Sequence, residues 1–266
     1  MICVLGDAHV DVIVRVSGPV AAETDTPASA RIGIGGQAAN VAAWVSALGG
    51  RSRLVTARGT DLGSKLVTAE LERRGIQLAG PVIRGDTGVV VSLSDGGQRR
   101  SMLTDRGVGT QLTASDFAPE WLDGCDWLHL PAYGLTAEPV RGAALAAARG
   151  AAAGSVPVSI DLSSTAAIAN YGVGRFRELI SGLRPEVIFG NAAEAELLGD
   201  VLADRVIVKL GPDGVRARGR HYPALPAVAV DATGAGDAFA AGYLLGGIQL
   251  GLAAAARAVA KMGAMP

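Results

Sequence analysis

The chain has 266 residues, 49% of them hydrophobic and 18% charged, with a formal net charge of −1 and a sequence pI near 6.3. That length can hold one large α/β domain with a sizeable core. The near-neutral balance, with arginines scattered rather than blocked, carries no footprint of a nucleic-acid partner, and no run of about 18 apolar residues suggests a membrane span.

Residues 2–5 form a short apolar run that starts without a basic leader, so no signal peptide is expected and the cytoplasm is the default compartment. The two cysteines, Cys3 and Cys125, both lie in apolar runs, which suits buried small hydrophobes better than a disulfide. The first run ends at Gly6-Asp7, and residues 10–16 follow as a second extended segment. Ligands of open α/β sheets sit beyond the carboxyl ends of strands, so Asp7, His9 and Asp11 are candidates to line a pocket. Turn chemistry explains Asp7 equally well. Residues 17–29 read as a loop and 31–34 as a returning strand.

Gly35-Gly36-Gln37-Ala38-Ala39-Asn40 opens a helix. Glycines there admit a ligand close to the backbone, and Asn40 can both donate to and accept from a hydroxyl-rich ligand; a tight turn with a surface Asn is the competing reading. Residues 53–57 read as a strand and 61–74 as a helix. Gly59 to Lys65 is not a phosphate-binding P-loop, because the lysine does not follow a glycine at the required spacing. Residues 87–93 and 99–104 are extended and joined by a turn-like Ser94-Asp95-Gly96-Gly97-Gln98, a hairpin signal. With residues 10–16 and 31–34 they predict a small antiparallel sheet, a lid or a dimer surface. Arg106, just beyond, is either a ligand contact or a solvated surface arginine.

From residue 126 strand and helix alternate: strands at 126–130, 156–161, 187–189 and 206–210, helices at 139–153, 175–183 and 192–198. This pattern predicts a mostly parallel sheet covered by helices. Asn191 and Glu194 stand three apart at a helix start, so they either hold the water shell of Mg²⁺ or cap the helix. Lys209 closes a strand before a turn holding Gly211 and Gly214, where it either meets a nucleotide phosphate or marks a plain turn. Asp231-Ala232-Thr233-Gly234-Ala235-Gly236-Asp237 then runs into an alanine-rich helical pattern. Backbone N–H groups of Gly234, Ala235 and Gly236 can hold an anion at the helix N-terminus, with Asp237 beside them as a base. Capping by Thr233 or Asp237 is the plain alternative.

The order of these motifs resembles the PfkB family of carbohydrate kinases, with its ribokinase-like fold, along nearly the whole chain. The resemblance rests on Gly35 to Asn40, on Asn191-Ala192-Ala193-Glu194 and on Asp231 to Asp237. It implies a three-layer α/β/α domain over residues 1–266, with a mostly parallel central sheet and a small β-sheet lid from about residues 10–34 and 87–104. It further implies an ATP-dependent transfer of phosphate to a hydroxyl of a sugar or sugar-like molecule. Asp237 is then the base, and Gly234, Ala235 and Gly236 form the anion hole. His9, Asp11, Gly35, Gly36, Asn40 and Arg106 are expected at the sugar. Asn191, Lys209, Gly211 and Gly214 are expected at the nucleotide, with Asn191 and Glu194 reaching Mg²⁺ through water. Asp231 and Thr233 match the first part of a monovalent-cation (K⁺) site that relatives complete beyond their final helix, whereas this chain ends at Pro266.

Two departures bear on specificity and catalysis. Pro131 stands about where ribokinases place a sugar-binding Glu, which argues against ribose as the specific substrate, and Ala232 replaces a residue whose side chain the anion hole does not need. The alternatives are a nucleoside kinase of the same superfamily, needing a base pocket from Trp44, Trp121, Trp127 or Tyr133, and a non-catalytic sugar-binding regulator. A homodimer through the lid is a further expectation.

Overall fold

The structure is a computed structural model that describes residues 1–94 and 100–266. The elements in chain order are β1 Ile2–Leu5, β2 His9–Val16, β3 Ala28–Gly35, α1 Gln37–Ala47, β4 Ser52–Val55, α2 Leu62–Arg73, β5 Gln77–Ala79, β6 Thr87–Ser94, β7 Arg100–Gly107, β8 Trp127–Pro131, α3 Tyr133–Thr136, α4 Val140–Ala153, β9 Val158–Asp161, α5 Thr165–Tyr171, α6 Val173–Leu183, β10 Val187–Asn191, α7 Ala192–Leu198, β11 Val206–Lys209, β12 Val215–Ala217, β13 Arg220–Tyr222 and α8 Ala235–Val259.

Nine strands form the main sheet in the order β13-β12-β11-β10-β9-β8-β1-β4-β5. It is parallel from β11 to β5, and only the β12 and β13 edge is antiparallel. Central strands such as β1 and β9 are buried along their whole length, as expected where helices cover both faces of a parallel sheet. One core packs α1, α2 and α8 against the sheet; the other packs α4, α5 and α6 against the opposite face. The strand and helix alternation predicted a layered domain of this kind. The β12 and β13 hairpin was not anticipated, because three-residue strands are too short to establish a period, and the seven-residue α5 was not anticipated either.

The stretch from Gly59 to Lys65 starts α2, with Asp61 as N-cap accepting from the backbone of Gly63 and Ser64. The second sheet has the order β3-β2-β6-β7. It corrects the expectation of an antiparallel lid: β2–β3 and β6–β7 are antiparallel, but β2 and β6 run parallel. The chain reaches β6 through α1, β4, α2 and β5, and a long crossover of this kind delivers a parallel partner where a hairpin would not. The loop expected over 17–29 also ends earlier, since β3 begins at Ala28. The turn of the β6 and β7 hairpin, at 95–98, lies outside the described residues. Cys3 is buried, but Cys125 is only partly so; both are free thiols.

Helix α8 spans 25 residues and is apolar enough by length and composition alone to cross a membrane. Its path is not straight. Gly246 and Gly247 leave helical geometry, and the two halves fold back on each other. A Cβ on Gly242 would lie 2.6 Å from the Leu250 carbonyl oxygen, and one on Gly251 would lie 2.9 Å from the Phe239 ring. The far end returns to the near one, where Val230 and Asp231 donate backbone hydrogen bonds to Val259.

Candidate active site

The site lies where the carboxyl ends of the sheet strands meet the N-terminal turns of α1 and α8. Gly36 adopts φ 107°, and a Cβ there would lie 2.4 Å from the Asp7 carbonyl oxygen. That oxygen accepts the N–H of Ala39, so α1 is seated directly on the end of β1. No other residue type fits there without moving the helix. The seating presents Asn40, which is 7% exposed, to α8, and Asn40 Nδ2 donates to Asp237 Oδ2 over 2.8 Å.

Asp237 stands in the first turn of α8, whose N-cap Gly234 has φ 77° and carries no side-chain cap. The capping reading of Thr233 or Asp237 therefore does not hold. Ala235 N–H is turned to the Ala232 carbonyl, while those of Gly236 and Asp237 belong to the turn that has no intrahelical acceptor. A Cβ on Gly234 would lie 2.6 Å from Ala264, so the segment after α8 packs onto this loop. Asp231 clasps the two: its Oδ1 accepts from the N–H and hydroxyl of Thr233, and its Oδ2 from the N–H of Gly263.

At the end of β10, Asn191 and Glu194 form a reciprocal capping box at α7. Asn191 Oδ1 accepts from Glu194 N at 2.9 Å and Glu194 Oε2 from Asn191 N at 2.8 Å. The capping alternative is realised, and it spends one oxygen of each side chain while fixing Glu194. Gly211 and Gly214 flank the turn after β11, with φ 61° and 93°. A Cβ on Gly214 would meet the Tyr222 carbonyl at 2.2 Å, so packing on β13 explains that glycine. Lys209 does not point along this turn. Its Nζ pairs with Asp161 Oδ2 at 2.7 Å and lies 3.1 Å from the position of a Cβ on Gly236. Asp161 is a site residue the sequence reading passed over; a carboxylate closing the apolar strand β9 was the available signal.

On the side of the four-stranded sheet, His9 Nε2 lies 3.0 Å from Asp11 Oδ1 and its Nδ1 3.6 Å from Asp7 Oδ2. Arg106 Nη1 reaches Asp7 Oδ2 at 3.3 Å and its guanidinium covers the Tyr133 ring at 4.6 Å. Gly35 leaves room for Asp11, whose Oδ2 lies 2.3 Å from where a Cβ would stand. Of the four aromatics considered for a base pocket, Tyr133 alone is tied to these groups; Trp44 is 1% exposed in the core and Trp121 stacks edge-on to Phe117. Among the described residues, Asp7 Oδ1, Gln37 Oε1 and Asn40 Oδ1 are buried acceptors without a hydrogen-bond partner. The Asn40 assignment follows from chemistry, since only its nitrogen can face a carboxylate.

Burial, then the nearby Asp161 carboxylate, pushes the Asp237 carboxyl up to about 7, against the hydrogen bond from Asn40 and the charge of Lys209. Burial alone would push the Lys209 ammonium down, but Asp161, with Asp237 and Glu194 behind it, outweighs that and holds it above its ordinary value. Burial also raises Glu194. His129, beneath this row and hydrogen-bonded to Ser159 at 2.9 Å, is lowered to about 4 by burial and stays neutral. The result is a carboxyl poised near neutrality, one fixed cation and a helix N-terminus meeting at one point.

A family model described as pfkB family carbohydrate kinase matches residues 1–265. An ATP-dependent ribose-1-phosphate kinase of Halopiger xanaduensis is 32% identical, with 92% of this chain and 84% of the relative covered. A fructokinase of Salmonella typhimurium is 29% identical, with 91% and 82% covered. Among solved structures, adenosine kinase from Sinorhizobium meliloti superposes with a TM-score of 0.86 at 24% identity, covering 100% of this chain and 95% of that one. A candidate ribokinase II of E. coli in complex with ATP and Mg²⁺ gives 0.83 at 20% identity, covering 99% and 94%. The fold is therefore the ribokinase fold expected from the sequence motifs.

The raised Asp237 carboxyl has a stability consequence. Its folded value of about 7 exceeds the unfolded value of about 3.9, so its contribution is fully present below about pH 4 and is lost as pH rises through about 7. Asp237→Asn, which cannot ionise, should unfold later than the parent at about pH 8, by up to about 4 kcal/mol. Thermal melts across pH check this; the gap should close by about pH 4.

Proposed function

The chain belongs to the pfkB family of carbohydrate kinases, and from that premise we propose that it transfers the γ-phosphoryl group of ATP to a hydroxyl of a sugar or sugar-like molecule, with Asp237 as the base. The observation that carries this reading is the Asp237 carboxyl, pushed up to about 7 and aligned by Asn40 at 2.8 Å in the first turn of α8. A general base is most effective when its proton affinity lies near the working pH. The loop of Gly234, Ala235 and Gly236 serves as the anion hole, the Ala235 N–H leaving the Ala232 carbonyl for an incoming anion, at the end of a helix whose dipole favours negative charge. The buried acceptors on Asp7, Gln37 and Asn40 call for donors from the ligand, which a polyhydroxylated acceptor supplies. His9, Asp11, Gly35, Gly36 and Arg106 complete its surroundings, and the lid strands close over it. The stack of Arg106 on Tyr133 favours a second reading, a nucleoside acceptor whose base rests on that platform.

Among the described residues no cluster of three His, Cys, Asp or Glu side chains could hold a metal by itself. That suits Mg²⁺, which keeps several waters and binds chiefly through nucleotide phosphates. Glu194, fixed by its capping box, would hold the ion through its waters, and Asn191, Gly211 and Gly214 would border the nucleotide. When bound, Mg²⁺ supplies charge neutralisation at the phosphates. A K⁺ ion beside Asp231 and Thr233 would brace the anion-hole loop from behind; a K⁺ dependence of the rate is its check. The row Ile32, Val12, Val91 and Leu103 runs across all four lid strands in register, with Ile32 65% and Leu103 58% exposed. It fits a second copy of the chain. A cytoplasmic location belongs to the same proposal and is checked by cell fractionation.

The test of the reaction is ATP consumption with ribose 1-phosphate, D-fructose, D-ribose and adenosine as acceptors. Turnover on at least one is expected, with kcat rising through about pH 7 as Asp237 ionises; sugar binding without any turnover would point to a regulator instead. Asp237→Asn should lower kcat by about a thousandfold or more while ATP affinity holds, and near-normal turnover would remove Asp237 as base. Glu194→Gln should raise the Mg²⁺ concentration needed for half-maximal rate, whereas an unchanged titration leaves Glu194 as a cap alone. Leu103→Lys should convert a dimer to a monomer in sedimentation, and a parent that is already monomeric removes the lid interface.

A further inference from the structure

Lys209 reaches diagonally across β10 to find its partner. Asp161 pairs in register with Phe189 on β10, and Phe189 with Ile207 on β11. Lys209 lies two residues beyond Ile207, so all four side chains share the sheet face that meets α8. Asp161 is 1% exposed and is itself fixed, its Oδ1 accepting from Ser163 N at 3.0 Å while Oδ2 takes Lys209 Nζ at 2.7 Å. The ammonium thus ends beside the first turn of α8. Gly236 then has a second reason to lack a side chain, because a Cβ there would stand 3.1 Å from Nζ.

Such a placement is unsuited to the adenosine half of a nucleotide and suited to the group in transit. A lysine has four rotatable bonds and, left free, would pair with the nearest carboxylate, which here includes the base. Asp161 gives it another partner. Resting on the kinase reading above, we propose that Lys209 binds the transferring phosphoryl group beside Gly236, and that Asp161 is a positioning residue that holds the ammonium there and keeps it off Asp237.

In the transfer itself the acceptor oxygen forms a bond to the γ-phosphorus as the bond to the ADP oxygen breaks. The acceptor proton passes to Asp237, and Lys209 keeps its proton throughout. The ammonium offsets charge on the oxygens of the phosphoryl group, the role that fixed donors have at a loose transition state. The charged and titratable groups facing Asp237 are Asp161 from β9, Lys209 from β11 and Asp7 after β1, with Asn40 of α1 as the hydrogen-bond donor.

The binding arm of the experiment compares ADP and the non-hydrolysable AMP-PNP, both with Mg²⁺, by calorimetry, and needs no acceptor; the rate arm uses the acceptor identified for the parent. Lys209→Met should weaken AMP-PNP about tenfold or more while ADP stays within about twofold, and Lys209→Arg should restore most of the loss. Because Lys209→Met leaves a buried carboxylate unpaired, the neutral pair Asp161→Asn/Lys209→Met is measured beside it and should show the same selective loss in a stably folded chain. Asp161→Asn should keep AMP-PNP binding and lower kcat about tenfold with the acceptor that the parent uses, as Lys209 turns to Asp237. Removing the Asp161 charge should also move the acidic limb of the rate profile to lower pH, and Lys209→Met should move it to higher pH. Equal losses for ADP and AMP-PNP, or an Asp161→Asn variant with parental kcat, would overturn the inference and leave the kinase reading standing. A parent chain that binds neither nucleotide overturns both.

Discussion

The site depends on how closely α1 and α8 approach each other. Residues Ala38 to Val45 of α1 are all buried, and Ala238 to Ala241 of α8 are buried against them in the same core. The alanines at these positions let two helix N-termini meet at one point above the sheet. Only at that separation does the short amide of Asn40 reach Asp237. The high alanine and glycine content therefore has a geometric purpose beyond helix propensity: bulkier residues would move the helices apart and separate Asp237 from Asn40.

The charges are arranged by the same approach. Asp237 is crowded by burial and by Asp161, which keeps its proton affinity near neutrality, while Lys209 remains an ammonium because Asp161 stands beside it. One buried carboxylate thus acts in two directions, raising the Asp237 carboxyl and holding the Lys209 cation. Burying a charge is costly unless it is paired and hydrogen-bonded, and Asp161 meets both conditions through Lys209 and Ser163. His129 beneath them avoids the cost by staying neutral.

Much of the site could be read from the chain because glycines and polar residues at strand ends are local signals. Gly36 is required by a positive φ and by contact with the Asp7 backbone, and Asn191 with Glu194 carries the spacing of a capping box. Asp161 also closes a strand, but that position does not say what it holds. It belongs to no motif, and its importance comes from Lys209, 48 residues later, which reaches it over an intervening strand. The parallel pairing of β2 with β6 was hidden for a related reason: local pattern marks a strand but not the direction in which a distant strand arrives. Likewise α8 reads as one long apolar helix, and only the contacts of Gly242 and Gly251 reveal a fold back on itself.

The sequence by itself determined the class of fold, the positions of the turns and helix starts, and the residue types able to do phosphoryl chemistry, because periodicity, glycine placement and capping spacing are properties of neighbouring residues. The tertiary structure decided which of those residues act together. It chose Asp161 as the partner of Lys209, the cap as the primary bond of Asn191 and Glu194, and Asn40 as the group that orients Asp237. The physical reason is that burial and electrostatic coupling depend on distance in space, and a folded sheet brings together strand ends that the chain keeps far apart.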